Sequence, residues 1–229
     1  MLCGPHVPRQ VIIDEHRRLK GRVLEFAESS AGSSSGLDST ILSENYNILK
    51  SAQRLINGQG FNISNSSFED VFHNHSLPCR LEELPKQLLP KGVSSVAFDV
   101  GHNPDALAKT IKAYIQRYNG AAPVVIYGCK ERKDYQSCLD QIFALSKTVF
   151  AVQAKDTKGV VLAETIRSSG QDHGQTVGLV EAGQIAPTIA EVIKQVQTGQ
   201  IKETHILVIG SFTLMREART HFGLHCPTD

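Results

Sequence analysis

Asp99, His102 and Asn103 stand together in Ser95-Val96-Ala97-Phe98-Asp99-Val100-Gly101-His102-Asn103-Pro104-Asp105. A carboxylate takes hydroxyl and amide donors, and an imidazole holds or moves a proton near neutral pH. Two further groups follow short apolar runs: Lys130, Arg132, Lys133 and Asp134 after Gly128-Cys129, and Ser211 after Gly210. Cations, a hydroxyl, a carboxylate and an imidazole at helix starts suit the binding and transfer of an anionic group. Taken singly, Asn103, Asp134 and Ser211 are ordinary helix caps. Lys130, Arg132 and Lys133 are by default a solvated loop, and Arg80 an ordinary surface arginine. A tight turn has no need of an imidazole, so His102 is equally open to a functional and a structural reading.

The elements that must position these residues can be read from pattern. Asn103 is a preferred N-cap and Pro104 a preferred first helical residue, ahead of Leu107, Ile111, Tyr114, Ile115 and Tyr118. This predicts a buried strand turning sharply into a helix. Strand-like runs at Ser95–Phe98, Val124–Tyr127, Thr148–Val152, Thr176–Val180 and Ile206–Ile209 alternate with helical patterns. The clearest starts near Ile185 and continues with Ile189, Val192, Ile193 and Val196. Such alternation predicts an α/β fold, a Rossmann-like, mostly parallel sheet with helices on both faces, wound right-handed. In a parallel sheet the three strand ends carrying the chemistry share one edge, where such sheets bind ligands. Gly101, Gly128 and Gly210 occur singly, and no G-x-G-x-x-G follows a strand, which argues against a dinucleotide dehydrogenase or a methyltransferase.

Upstream of Gly92 the texture is helical. A surface helix is expected over Gln10–Glu28, then a Ser/Gly linker at 29–36. A second helix is expected over about Thr40–Ile56, stopped by Asn57-Gly58 and Gly60, and a third over about Ser66–Phe72. The expected organisation is a helical segment over 1–92 and an α/β domain over 93–229.

The chain has 229 residues, and 24 Lys and Arg nearly balance 23 Asp and Glu, for a net charge of +1. That charge points neither to nucleic acid nor to an anionic membrane as partner. No apolar run is long enough to span a bilayer, and the first residues lack the apolar core of a signal peptide. A cytoplasmic location is expected, or a mitochondrial one if a targeting sequence precedes the chain. Five scattered cysteines without C-x-x-C read as reduced thiols.

Asp99-Val100-Gly101-His102-Asn103-Pro104 resembles the D-[GV]-A-H-N-P motif of folylpolyglutamate and dihydrofolate synthases, a branch of the Mur ligase superfamily. Other segments match in family order. Leu77-Pro78-Cys79-Arg80-Leu81-Glu82 is similar to P-G-R-[FL]-E, with Cys79 in place of Gly. Gly128–Asp134 resembles a segment ending in D-K-D, with Arg132 replacing the first Asp. Gly210-Ser211-Phe212 matches G-S-[FL]. Asn47 and its helix resemble N-A-x-x-A, although Ile48 and Ser51 replace two alanines. The resemblance spans about Ile41–Gly223 and makes 1–92 the remnant of a central ATPase domain.

The resemblance implies an ATP-dependent, ADP-forming amide ligase. A folate or dihydropteroate carboxylate becomes an acyl phosphate, which the amine of L-glutamate attacks. It implies ATP binding by Asn47, Arg80 and Asp99, with Asp99 facing a ribose hydroxyl or an adenine donor. His102, Lys133, Asp134 and Ser211 would line the glutamate and acyl-phosphate side, with His102 and Ser211 as catalytic residues. ATP and Mg²⁺ are the implied cofactors, and the metal ligands are expected in an N-terminal domain outside this chain. No G-x-x-x-x-G-K-[ST] occurs in the sequence, so the chain alone is expected to be inactive, with a separate P-loop domain as a possible partner. A monomer is expected. The alternative is a non-catalytic nucleotide-binding or regulatory module derived from this fold.

Overall fold

A computed structural model describes residues 2–3, 9–18, 25–26, 40–74, 78–155 and 158–224. The chain divides into two compact units, Met1–Ser76 and Leu77–Asp229.

In the first unit, strands β1 (Leu2–Cys3) and β2 (Glu25–Phe26) pair in parallel. Helix α1 covers Arg9–Arg18 and buries no residue. The surface helix expected over Gln10–Glu28 is described over Arg9–Arg18, and Glu25–Phe26, expected to be helical, is extended. The expected linker at 29–36 lies outside the described residues. Helix α2 (Thr40–Asn57) contacts helix α3 (Asn65–Asn74) through side chains. Lys50 pairs with Glu69 at 3.1 Å, and the Tyr46 and Phe68 rings meet edge-on at 5.5 Å. Asn57 ends α2 by exchanging hydrogen bonds with the Ile63 backbone, donating at 3.0 Å and accepting at 2.8 Å. Gly60 supplies a left-handed turn at φ 95°.

The second unit is built on a six-stranded sheet. Its strands are β3 (Arg80–Glu83), β4 (Ser95–Asp99), β5 (Pro123–Gly128), β6 (Val149–Ala151), β7 (Val177–Gly178) and β8 (His205–Gly210), in the order β3-β4-β8-β5-β6-β7. All pairings are parallel except that of β3 with β4. The antiparallel edge strand β3 is an addition to the expected five strands. It places the expected boundary near Gly92 inside the second unit.

Alternation along the strands sends side chains into two cores. Val96, Phe98, Val124, Ile126, Ile206 and Val208 pack on one face against helices α7 (Ile185–Gln197) and α8 (Phe212–His221). Ala97, Val125, Tyr127, Leu207 and Ile209 pack on the other against α4 (Pro104–Arg117), α5 (Tyr135–Leu145) and α6 (Ala163–Asp172). Strands buried on both faces need continuous apolar sequence, and β4, β5 and β8 have it. Among the described residues no helix is long and apolar enough to cross a membrane.

Candidate functional site

Strand β8 lies between β4 and β5, and Asp99, Ile209 and Tyr127 share one rung of the sheet. The carboxyl ends of all three strands therefore stand side by side. Each leads into a helix whose start is capped as its sequence predicts. Asn103 Oδ1 accepts from the Ala106 N–H at 2.8 Å, with Pro104 as the first helical residue. Asp134 Oδ1 accepts from the Ser137 N–H at 3.2 Å. Ser211 Oγ accepts from the Thr213 N–H at 3.4 Å. Three helix N-termini on one sheet edge concentrate positive potential where an anion would sit.

Asp99 is buried, 4% exposed, and its oxygens already face internal donors. Oδ1 accepts from the Gly101 N–H at 2.7 Å and the Thr110 hydroxyl at 2.9 Å, and Oδ2 accepts from the Leu81 N–H at 2.8 Å. Burial raises its carboxyl above the usual range, opposed by these hydrogen bonds and by the charge of Arg80. The bond to Gly101 makes the tight turn that follows β4. His102 is half-buried, and its Nδ1–H donates to the Val100 carbonyl at 2.8 Å. That bond fixes the ring and leaves Nε2 as the acceptor of the neutral imidazole.

The loop bearing Lys133 is pinned by backbone bonds from Glu131 N–H to Gly159 O at 2.9 Å and from Val161 N–H to Cys129 O at 3.0 Å. Lys133 is half-buried, and Arg132 and Asp134 are exposed. Cys129 lies beside them, but burial pushes its thiol up to about 11. It is a neutral thiol at pH 7 and not a nucleophile. Cys79, Cys129 and Cys138 are buried and form no disulfide.

Glycine permits the close approach of β5 and β8. Gly210 has φ 131°, and a Cβ there would lie 2.0 Å from the Gly128 carbonyl oxygen. That same oxygen accepts from the Ser211 N–H at 3.0 Å, so the cap of α8 is held directly on the end of β5.

Arg80 is exposed and pairs in the sheet opposite Asp99. The sheet thus gathers Arg80, Asp99, His102, Lys133, Asp134 and Ser211 along neighbouring strand ends. Asn47 belongs to the first unit, half-buried on α2. Thr110, Arg117, Glu82 and Arg219 support the site and were not singled out by sequence reasoning. In an amphipathic helix, an arginine that will be buried reads like any other. A groove of about 390 Å³ runs along α8 past Lys155, Ala186, Thr213 and Arg216. Among the described residues no three His, Cys, Asp or Glu side chains could jointly hold a metal ion.

Residues 80–212 match the model of the family described as Mur ligase, glutamate ligase domain. No curated protein matches the sequence. Several solved structures share the fold. Mycobacterium tuberculosis folylpolyglutamate synthase complexed with ADP aligns with a TM-score of 0.71 at 16% identity, over 97% of this chain and 54% of that one. The Yersinia pestis bifunctional folylpolyglutamate synthase/dihydrofolate synthase complexed with AMPPNP and a Mn ion gives 0.65 at 15%, over 96% and 52%. E. coli FolC in complex with DHPP and ADP gives 0.65 at 17%, over 94% and 51%. The chain spans about half the length of these structures.

Proposed function

Because this chain belongs to the Mur ligase family, through a glutamate ligase domain matched over residues 80–212, we propose that it forms the C-terminal part of an ATP-dependent amide ligase that adds L-glutamate to folate or dihydropteroate. The observation that carries this reading is the adjacency of the ends of β4, β8 and β5. It lines up His102, Ser211 and the Lys133-Asp134 loop beside Arg80.

In the proposed reaction a substrate carboxylate oxygen attacks the γ-phosphorus of ATP, ADP leaves, and an acyl phosphate forms. The glutamate amine then attacks the acyl carbon. The tetrahedral intermediate loses phosphate, and the amine's proton passes to a base. Arg80 would grip phosphate with planar, permanently charged donors. Lys133 and the helix starts at Asn103 and Ser211 would offset the charge of the acyl phosphate. His102 Nε2, the ring's open acceptor, suits the amine's proton. Asp99 would hold the turn under the nucleotide, since three internal donors occupy its oxygens. Mg²⁺ accompanying ATP would offset phosphate charge, and by the resemblance its ligands would belong to an N-terminal domain outside this chain. For Asn47, on α2 of the first unit, a nucleotide contact rests on the resemblance of its helix to N-A-x-x-A alone.

The test is ATP binding to the chain by calorimetry. A charged hydrogen-bonding group contributes about 1.5–3 kcal/mol, so Arg80→Ala should weaken binding about tenfold or more. Equal affinity in wild type and Arg80→Ala would overturn the assignment. ATP turnover by the chain alone, with folate and glutamate present, would refute its being one half of the site. A second reading, a nucleotide-binding module without catalysis, draws on the lack of G-x-x-x-x-G-K-[ST] in this sequence. Ligation restored by adding a separate P-loop domain would exclude it.

A further inference from the structure

Arg80 sits between two residues anchored in opposite cores. Cys79 packs with Phe98, Val100 and Phe222 on one side of the sheet, and Leu81 with Ala97, Leu107 and Tyr114 on the other. Residues two apart on a regular strand share a face. Here Cys79 (φ 61°) and Leu81 (φ 49°) are both left-handed, and Leu81 is the extra residue of a bulge between the pairs Arg80–Asp99 and Glu82–Phe98. Bulges at sheet edges re-aim side chains, and L-residues in this region persist only where their surroundings over-determine them.

Side chains from four elements, β3 itself among them, hold this bulge. Asp99 accepts from the Leu81 N–H at 2.8 Å, and Arg117 of α4 donates to the Leu81 carbonyl at 2.7 Å. Glu82 Oε2 accepts from the Cys79 N–H at 2.8 Å, while Arg219 Nη2 of α8 donates to Glu82 Oε1 at 3.0 Å. The Arg219 side chain is 7% exposed and that of Glu82 18%. A buried pair of this kind adds little net stability over an apolar isostere, but it does fix geometry.

We propose that the Glu82–Arg219 pair positions Arg80. It locks the backbone around Arg80 so that the exposed guanidinium is pre-set for a nucleotide phosphate, and it ties that setting to α8, whose cap Ser211 lies on the glutamate side. This inference rests on the reading of Arg80 as an ATP-binding residue.

The test is ADP titration by calorimetry on the full chain, with each variant held below its own unfolding midpoint. Arg219→Ala would leave Glu82 without its buried partner, so Arg219→Lys, which keeps the charge, and Glu82→Gln, which keeps an acceptor for Cys79, are used. Each is measured alone and combined with Arg80→Ala. Positioning residues act through Arg80, so each variant should weaken ADP about fivefold to tenfold in the wild-type background and less than about twofold in Arg80→Ala. Equal losses in both backgrounds would reduce the pair to a structural contact and overturn the inference. Wild-type affinity in both variants, with Arg80→Ala impaired, would overturn it and leave the nucleotide assignment standing. Absence of ADP binding by the wild type, or wild-type binding by Arg80→Ala, would remove that assignment and the inference with it.

Discussion

Replacing Asp99 by alanine should cost more than any exposed change at the site. The carboxylate is 4% exposed and serves the Leu81 N–H, the Gly101 N–H and the Thr110 hydroxyl at 2.8, 2.7 and 2.9 Å. Alanine offers none of them an acceptor, and each buried donor left unpaired costs about 1–3 kcal/mol. Against this, the variant no longer buries a charge. Taking the lower part of the range for each donor, the expected loss is about 3 kcal/mol. For a domain of this size, that lowers the unfolding midpoint by about 6–12 °C. Thr110→Val removes one donor and leaves the carboxylate two partners, so about 1 kcal/mol is expected. Urea denaturation followed by circular dichroism would measure both, with an unchanged slope confirming that the midpoint shift reports stability. A loss below about 1 kcal/mol in Asp99→Ala would refute the claim that these three bonds organise the turn.

Two further outcomes are expected. Gly210→Ala forces φ 131° on an L-residue and sets its Cβ 2.0 Å from the Gly128 oxygen; a loss of about 2–4 kcal/mol is expected, and an unfolding midpoint equal to wild type would show that the two strand ends part easily. Burial raises the folded Asp99 carboxyl above its unfolded value, so the native state holds that proton more tightly. The resulting stability is full below about pH 3.9 and is lost as pH rises through the folded value. The stability of wild type minus that of Asp99→Asn should therefore fall from about pH 4 upward, and a difference that stays flat or rises in urea unfolding across that range would contradict it.

The strands and caps that carry the chemistry were legible because each is written locally. Ser95–Phe98 and Ile206–Ile209 are apolar runs that end in a glycine-bearing turn and a capping side chain, and Asn103-Pro104 is a helix start by residue type alone. Strand β3 was not legible. Arg80-Leu81-Glu82-Glu83 lacks strand alternation, and its left-handed residues are held by Asp99, Arg117 and Arg219, which are distant in sequence. The resemblance to P-G-R-[FL]-E located Arg80 but not its strand. It also marked Cys79 as standing where the family has glycine, and φ 61° there is a conformation that glycine adopts freely. Mixed charge and apolar residues over Gln10–Glu28 gave a helical pattern that included Glu25–Phe26, which pairs as a strand with Leu2–Cys3, because periodicity does not by itself reveal a distant partner.

The place of β8 in the sheet has a consequence for folding. Ser95 on β4 meets His205 on β8 across 110 residues of sequence, and β4 and β5 are joined in the sheet through β8. Until β8 inserts, β4 and β5 are two unpaired apolar edges, and the strand ends that would hold ligand are apart. Closing so long a loop is slow, and open edges invite pairing with other chains. The proposed site is therefore assembled only when β8, which follows both strands in sequence, inserts between them, and until then the inner edges of β4 and β5 are open to pairing with other chains.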